Sequence, residues 1–397
     1  MKRRQFIYNT VAATAGAVIL PNLWGCNKED NSITPLPASS PFYKYLEASG
    51  THYEVGKQIG SYYKSEINAA QLGVKDLLVT INGIVQSAPD VFYQPFLNAA
   101  ENVFPDYVDE LKGMADGSGI SFQQLFTTNL MMEIIYLYYE LSGKKTPIIP
   151  GNLGCSTVAY AKNGKLFLGH NEDLFTCFIN SMYVVKISIP GKPQFVGLNY
   201  PGILPGMPPC MNEAGIVQTG NDICGQHIEP SVPMVFHFRS AMDASSLSDA
   251  ISRVTIPERA RTMTHNLGSF LENKIVCVEA APSKHEQHEV DNFFVHTNHF
   301  ILPEMTDIQL DEGTLPSSIS RFDVLTAEAG PYSDNPSAVS GGLLTGFLSS
   351  HEGEYSPCVH DHGGASTLGH AVFDFQNKNL KMNYSNPCLG ISKIYNI

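Results

Sequence analysis

The thiol of Cys155 lies in a stretch where chemistry-bearing residue types crowd together. Gly154-Cys155-Ser156 stands at one end, and His170-Asn171-Glu172-Asp173 at the other. The spacing between the two ends brings them together. Residues 156–162 and 165–169 favour extended structure, and Asn163-Gly164 between them is a strong two-residue turn signal, because both turn positions need positive φ. Such a turn sets the register. Lys162 faces Lys165, and counting back puts Cys155 opposite Glu172, with Asp173 one residue further on. A thiol held near hydrogen-bonding and acidic groups is what nucleophilic catalysis requires, since the thiol reacts only after a neighbouring base takes its proton.

The chain that must position this hairpin has 397 residues, 43% of them hydrophobic and 16% charged, with a net charge of −13. This is the composition of a globular protein with a large core, in one big domain or two intimate ones. The acidic balance argues against a nucleic-acid partner, whose phosphates demand cations. No internal run of about 20 apolar residues exists, which excludes a multi-span membrane protein. The first 26 residues read as a targeting segment. Lys2, Arg3 and Arg4 precede the short apolar run Val11–Leu20, Arg3-Arg4-Gln5-Phe6-Ile7 resembles a twin-arginine signal, and Leu23-Trp24-Gly25-Cys26 resembles a lipobox. The expectation is cleavage before Cys26, lipid attachment to its sulfur, and a periplasmic or cell-surface bacterial protein held to the membrane by that anchor alone. Residues 27–41, rich in Ser, Pro and Asn, read as a tether. With Cys26 and Cys155 placed, Cys177, Cys210, Cys224, Cys277, Cys358 and Cys388 remain, in no CxxC zinc spacing, and export makes disulfides among them an option that sequence cannot pair.

Residues 43–142 read as helical. Thr51 with Glu54 forms a capping-box pattern, and Gly56 and Gly60 share one helix face and permit a close helix contact. Phe126–Tyr139 is a bulky core helix, and Gly143–Leu153 a loop that delivers the chain to the hairpin. Strand signals follow at 183–189, 194–198, 207–211 and 215–219, a helix at 233–253, strands at 274–279 and 289–297, helices at 317–329 and 337–349, and two last strands at 368–375 and 380–384. Helices, then strands, then helices, then strands suggest two stacked antiparallel sheets with helices outside, an α+β fold.

The hairpin resembles the start of the catalytic chain in N-terminal-nucleophile (Ntn) hydrolases. More narrowly, it is similar to the penicillin acyl-coenzyme A acyltransferase (peptidase C45-like) family, related to choloylglycine hydrolases and acid ceramidases. Four further stretches carry the resemblance: His52-Tyr-Glu-Val-Gly-Lys-Gln-Ile-Gly60, Asn212-Glu-Ala-Gly215 with Asn221, Val295-His-Thr-Asn298, and Ser317-Ser-Ile-Ser-Arg321-Phe322. Ser356-Pro-Cys-Val-His360, Ser366-Thr-Leu368 and Asn386-Pro-Cys388 resemble C-terminal features of the family. The resemblance implies a four-layer αββα sandwich with a helical N-terminal segment. It implies a cut at Gly154-Cys155 that separates residues 42–154 from a catalytic chain of residues 155–397. It makes Cys155 the nucleophile and its freed α-amino group the base, oriented by Asp173 although the register favours Glu172 as the nearest acid. Asn298 binds the tetrahedral oxygen with Asn221 as a second donor, and Arg321 favours the thiolate. No cofactor and no metal are implied. His296 and His299, three apart on a strand end, point to different faces, and His360-Asp-His362 shows no full ligand set.

His170 departs from the pattern. Bile-salt hydrolases and acid ceramidases carry an arginine three residues before the hairpin aspartate, and penicillin acyltransferases a glutamine. The departure counts against bile salts and ceramides as substrates, and His170 and Glu172 are expected near the substrate. The reaction expected is cleavage of a linear amide of a small molecule through an acyl-enzyme, with hydrolysis favoured over acyl transfer outside the cytoplasm. Two other readings fit the same residues: a Cys-His protease using one of thirteen histidines without chain cleavage, and a surface lipoprotein that binds a ligand on a decayed enzyme scaffold. Nothing in the sequence speaks to oligomeric state.

Overall fold

The computed structural model describes residues 42–143, 153–310 and 315–397. The targeting segment with Cys26, the tether, and residues 144–152 of the loop before the hairpin lie outside the described residues.

The fold is α+β, with two sheets. The described chain opens with β1 (Lys44–Ser49), followed by α1 (His52–Tyr62), α2 (Lys64–Gly73), α3 (Lys75–Ser87), α4 (Pro89–Phe92), α5 (Gln94–Val103), α6 (Pro105–Ser118), α7 (Phe122–Asn129) and α8 (Met131–Ser142). The hairpin follows as β2 (Gly154–Lys162) and β3 (Lys165–Phe175), then β4 (Tyr183–Ser188), β5 (Phe195–Asn199), β6 (Cys210–Asn212) and β7 (Ile216–Asp222). Helices α9 (Met234–Ala241) and α10 (Leu247–Val254) lead to β8 (Met263–Ser269), β9 (Lys274–Ala280), β10 (His285–Glu289) and β11 (Phe293–His296). Helices α11 (Leu315–Ala329) and α12 (Gly341–Leu348) precede β12 (Ala365–Asp374), β13 (Asn379–Tyr384) and β14 (Ser392–Tyr395). One sheet has eight strands in the order β1-β4-β5-β6-β7-β8-β9-β10; the other has six, β11-β2-β3-β12-β13-β14.

The hairpin register is the expected one. Lys162 pairs with Lys165, Cys155 with Glu172 and Gly154 with Asp173, and the turn residues Asn163 (φ 54°) and Gly164 (φ 77°) both take positive φ. Alternation then sorts the side chains. Cys155, Thr157, His170 and Glu172 share the face toward the larger sheet, where Thr157 meets Thr219 and Asn221 of β7. Ser156 and Asn171 face the other way, toward α11 and α12. Val158, Tyr160, Phe167, Leu325, Leu344 and Leu348 fill that outer interface. The far side of the larger sheet packs on α1, α6 and α10 through residues such as Val55, Ile59, Met114, Val185 and Leu247.

The glycine face of α1 does what its spacing suggests. A Cβ at Gly56 would lie 1.9 Å from the Glu110 carbonyl oxygen of α6, and one at Gly113 of α6 would lie 2.0 Å from the Tyr53 carbonyl of α1. Both helices thus use glycines to cross backbone on backbone, and alanine at either position forces them apart. The capping box is present too, with Thr51 Oγ1 accepting from the Glu54 N–H and Glu54 accepting from the Thr51 N–H.

Several boundaries differ from the sequence reading. The 43–142 segment is not all helical, because Lys44–Ser49 forms β1, pairing parallel with β4. Strands β8 and β14 were not anticipated. The stretch 289–297 splits between sheets, with β10 ending at Glu289 and β11 starting at Phe293. The 233–253 helix breaks after Ala241, where Asn212 Nδ2 donates to the carbonyls of Met242 and Ala244 and holds them out of a helical ladder. Cys155, Cys210, Cys277, Cys358 and Cys388 are free thiols.

Candidate active site

Cys155 sits at the start of β2, 9% exposed, in the wall of a cavity between the inner sheet faces and α8. Met131, Met132, Phe175, Phe178, Met234 and Phe238 make most of that cavity apolar, while Cys155, Glu172, Asp173, Tyr200 and Asn298 supply polar groups to its wall. Gly154 precedes the thiol with φ +150°, and a Cβ there would lie 2.2 Å from Asn298 Oδ1 and 2.7 Å from an Arg321 nitrogen. A side chain therefore cannot be accommodated at the residue before the cysteine.

Asn298 and Arg321 meet at this point, although they come from separate segments. The Asn298 oxygen accepts from the Cys155 backbone N–H at 3.0 Å and from Arg321 Nη2 at 2.7 Å, and its Nδ2 donates to the Asp222 carbonyl at 2.8 Å. Arg321 Nη1 also donates to the Cys155 carbonyl (2.7 Å) and to Ser156 Oγ (2.9 Å). The Ser-Ser-x-Ser-Arg spacing explains the meeting. Ser318 and Arg321 are three apart on α11 and so face the same way. Ser318 Oγ accepts from the Asn298 N–H at 2.6 Å, while Arg321 reaches its side chain. On the other flank, His296 bonds Glu279 Oε1 at 2.8 Å, and Glu279 also receives the N–H groups of Ile301 and Leu302. The loop carrying Asn298 is thus fixed on both sides. His299 turns away to Ser318 Oγ, so His296 and His299 share no site.

The two acids of the hairpin divide their contacts. Glu172 is the one beside the thiol: Cys155 Sγ lies 3.4 Å from its Oε2, which also accepts from the Tyr200 hydroxyl at 2.6 Å, while Oε1 meets His170 Nε2 at 2.9 Å. Asp173 Oδ1 accepts from Thr367 Oγ1 at 2.6 Å, and its buried Oδ2 has no hydrogen-bond partner among the described residues. Pairing with β3 is regular on the cysteine side, and the irregularity lies in β12 between Thr367 and Gly369. His170 is fully buried behind Glu172, with its other nitrogen on Thr157 Oγ1 at 2.8 Å. The sulfur of Cys155, a nitrogen of His170 and an oxygen of Glu172 lie within 4.8 Å of one another. Asn221 stands one step deeper. Its Oδ1 accepts from Thr157 Oγ1 and from Asn266 Nδ2, each at 3.0 Å, and its Nδ2 has no partner among the described residues.

Electrostatics keep the thiol protonated in the uncut chain. Burial pushes the Cys155 thiol well above its usual range, Glu172 and Asp173 push it further, and Arg321 opposes them only in part. Burial likewise pushes Asp173 up to about 7, against the pull of Arg321 and the Thr367 hydrogen bond and with a further push from Glu172. Burial depresses the Arg321 guanidinium, while Asp173 and Cys155 hold it up. A thiol in this setting needs a local proton acceptor before it can attack.

Tyr200, the partner of Glu172, was not anticipated, since it lies in a Tyr-Pro-Gly turn with no chemical signature. Thr367, the partner of Asp173, belongs to the Ser-Thr-Leu stretch that resembles a C-terminal family feature, but no role at the site was read from it, and the strand expected from 368 begins earlier, at Ala365.

A family model described as acyl-coenzyme A:6-aminopenicillanic acid acyl-transferase matches residues 160–388, from within β2 through Asn298 and Arg321 to the last cysteine. The beta-alanyl-dopamine/carcinine hydrolase of Drosophila melanogaster is 28% identical over 369 residues, covering 86% of this chain and 92% of its own. Because the match takes in more than half of the chain, including β3, β7 and both residues that clamp Cys155, the chain belongs to the acyl-coenzyme A:6-aminopenicillanic acid acyl-transferase family and is an enzyme of the amide hydrolase and acyltransferase kind.

Proposed function

We propose that this enzyme is a cysteine N-terminal-nucleophile hydrolase, activated by its own cleavage at Gly154-Cys155, that hydrolyses a linear amide of a small molecule through an acyl group carried on Cys155. The observation that carries this reading is the convergence on Cys155: its backbone N–H on the Asn298 oxygen, its carbonyl on Arg321, and a glycine before it with no room for a side chain. The two facing sheets with helices on their outer sides support a four-layer αββα arrangement.

In maturation, the Cys155 thiol adds to the Gly154 carbonyl. The C–N bond breaks as the acyl group shifts to sulfur, and water hydrolyses the thioester, leaving a Gly154 carboxylate, the Cys155 thiol and a free α-amino group. That amine takes the thiol proton in the next reaction, its pKa near 8 suiting the task. The Asp173 carboxylate oxygen that lacks a partner among the described residues is available to orient it. The thiolate attacks the substrate carbonyl. Asn298 Nδ2 has a second N–H besides the one on Asp222, and this donates to the oxyanion. The Nδ2 of Asn221, without a partner among the described residues and set deeper behind Thr157, is the second donor. The proton returns to the leaving amine, and water releases the acid. The apolar cavity favours an acyl or amine part with an aromatic or aliphatic body. Cleavage of an amide is also what the name of the Drosophila relative describes.

N-terminal sequencing and intact mass of purified protein test this. Two chains are expected, the larger being residues 155–397, with Cys155→Ala remaining uncut and inactive. An uncut but fully active wild type would instead favour the Cys-His reading. His170 is near enough for it, though both its nitrogens are already committed to Thr157 and Glu172. An uncut, inert chain would favour the ligand-binding lipoprotein. Export and lipidation at Cys26 are proposed on the N-terminal pattern, and Cys26→Ser should release the protein from the membrane fraction.

A further inference from the structure

Away from this cavity, four side chains of metal-ligand type gather from three separate segments. His351 follows α12, Cys358 and His360 lie in the turn before β12, and Cys388 lies in the short Pro387–Leu389 turn after β13. One donor atom from each falls within 4.8 Å of every other. The two sulfurs are 3.7 Å apart, His360 Nε2 is 3.7 Å from Cys358 Sγ and 3.2 Å from Cys388 Sγ, and the two histidine rings lie side by side with centroids 5.1 Å apart. We infer that His351, Cys358, His360 and Cys388 form a structural zinc site.

The separations among Cys358, His360 and Cys388 are close to tetrahedral edges, the 3.2 Å His360–Cys388 pair being the short one. Zinc–sulfur bonds of about 2.3 Å and zinc–nitrogen bonds of about 2.0–2.1 Å at tetrahedral angles separate two sulfurs by about 3.8 Å, and a sulfur from a nitrogen by about 3.6 Å. Two thiolates and two neutral imidazoles are a common structural zinc set, and four protein donors leave no open position for a substrate or water. Binding displaces one proton from each thiol, so the two thiolates balance the dication. The outer contacts needed to hold a ligand are also present. Asn386 Nδ2 lies 3.5 Å from Cys358 Sγ and donates to the Val359 carbonyl at 2.6 Å, and the Cys358 N–H donates to the Ser350 carbonyl at 3.0 Å.

The position gives the clip a purpose. Val359 lies between two of the ligands. Its N–H donates to Thr367 Oγ1 at 2.9 Å, and its carbonyl accepts from the Thr367 N–H at 3.0 Å. Thr367 Oγ1 in turn donates to Asp173. One residue before Cys358, the Pro357 carbonyl accepts from Asn171 Nδ2 of β3. A metal here would pin the end of α12 and the turn after β13 to the segment that backs the acidic end of the hairpin.

Metal analysis of the full-length protein, purified without chelator, tests the inference independently of activity. About one zinc per chain is expected. Cys388→Ser and His351→Ala, both at exposed positions, should each lose most of it and lower Tm, while His362→Ala, two residues beyond His360 and outside the cluster, should keep it. Replacing zinc by cobalt(II) chloride should give the intense visible absorption of a tetrahedral site together with thiolate-to-cobalt charge transfer, and Cys388→Ser should weaken the latter. Zinc-free protein with Cys358 and Cys388 joined in a disulfide would overturn the inference. So would zinc content that neither Cys388→Ser nor His351→Ala changes.

Discussion

The side-chain oxygen of Asn298 accepts the backbone N–H of Cys155 at 3.0 Å, across 143 residues of sequence. In the uncut chain this bond fixes the amide nitrogen of the Gly154-Cys155 peptide. After the proposed cut the same nitrogen becomes the α-amino group. One residue would therefore serve both maturation and turnover.

Replacing Asn298 by Ala is expected to lower kcat by roughly 10²–10³ with a smaller change in KM, because an oxyanion donor acts mainly in the transition state. Steady-state kinetics on fully cut material measures this, since the variant should also mature more slowly. An unchanged kcat would remove Asn298 from the reaction.

Gly154→Ala should accumulate as a single uncut chain. The new Cβ would meet Asn298 Oδ1 at 2.2 Å, and its φ of +150° is one that alanine rarely adopts. Denaturing electrophoresis over time after synthesis reads the outcome, and normal cleavage of this variant would show that the tight packing around Gly154 is not needed.

Tyr200→Phe removes the hydroxyl that donates to Glu172 Oε2 at 2.6 Å. Hydrogen bonds to a charged group contribute about 1.5–3 kcal/mol. Loss of this one in a buried wall should lower kcat/KM by roughly tenfold or more and leave the cut intact. Kinetics that match wild type would make Tyr200 a lining residue only.

Asp173 gives the pH dependence. Its folded pKa is raised to about 7 from the ordinary 3.8, chiefly by burial. The native state therefore holds a proton that the unfolded chain gives up. The resulting stability is fully present below the unfolded value and is lost as pH rises toward and through about 7. In an uncut Cys155→Ala background, Asp173→Asn should raise Tm relative to its parent more at pH 8 than at pH 4. Thermal melts across that range check the sign, and a difference that is flat with pH would mean that Asp173 is already ionised when buried.

Much of the hairpin was legible because its rules are local. Asn163-Gly164 accommodates positive φ, the turn sets the register, and a period of two then puts Cys155 and Glu172 on one face. The glycine face of α1 and its Thr51–Glu54 cap were legible for the same reason. Strand β8 was missed because its seven residues, with His265, Asn266 and Gly268 among them, are buried on both faces and show no alternation. Strand β1 was missed because its pairing is parallel to a strand more than 130 residues away, which no local pattern reports.

The amino-acid sequence by itself determined the thiol, the turn, the register and the acidic strand end, because each depends on neighbours along the chain. Only the tertiary structure decided that Glu172 touches the sulfur while one Asp173 oxygen has no partner among the described residues. It also decided that Ser318 and Arg321 clamp Asn298 against Cys155, and that His351, Cys358, His360 and Cys388 meet. The physical reason is that these contacts join segments whose separation along the chain carries no period. They form only when sheets and helices pack, and the position of each side chain is then set by burial and by the need of buried polar groups for partners.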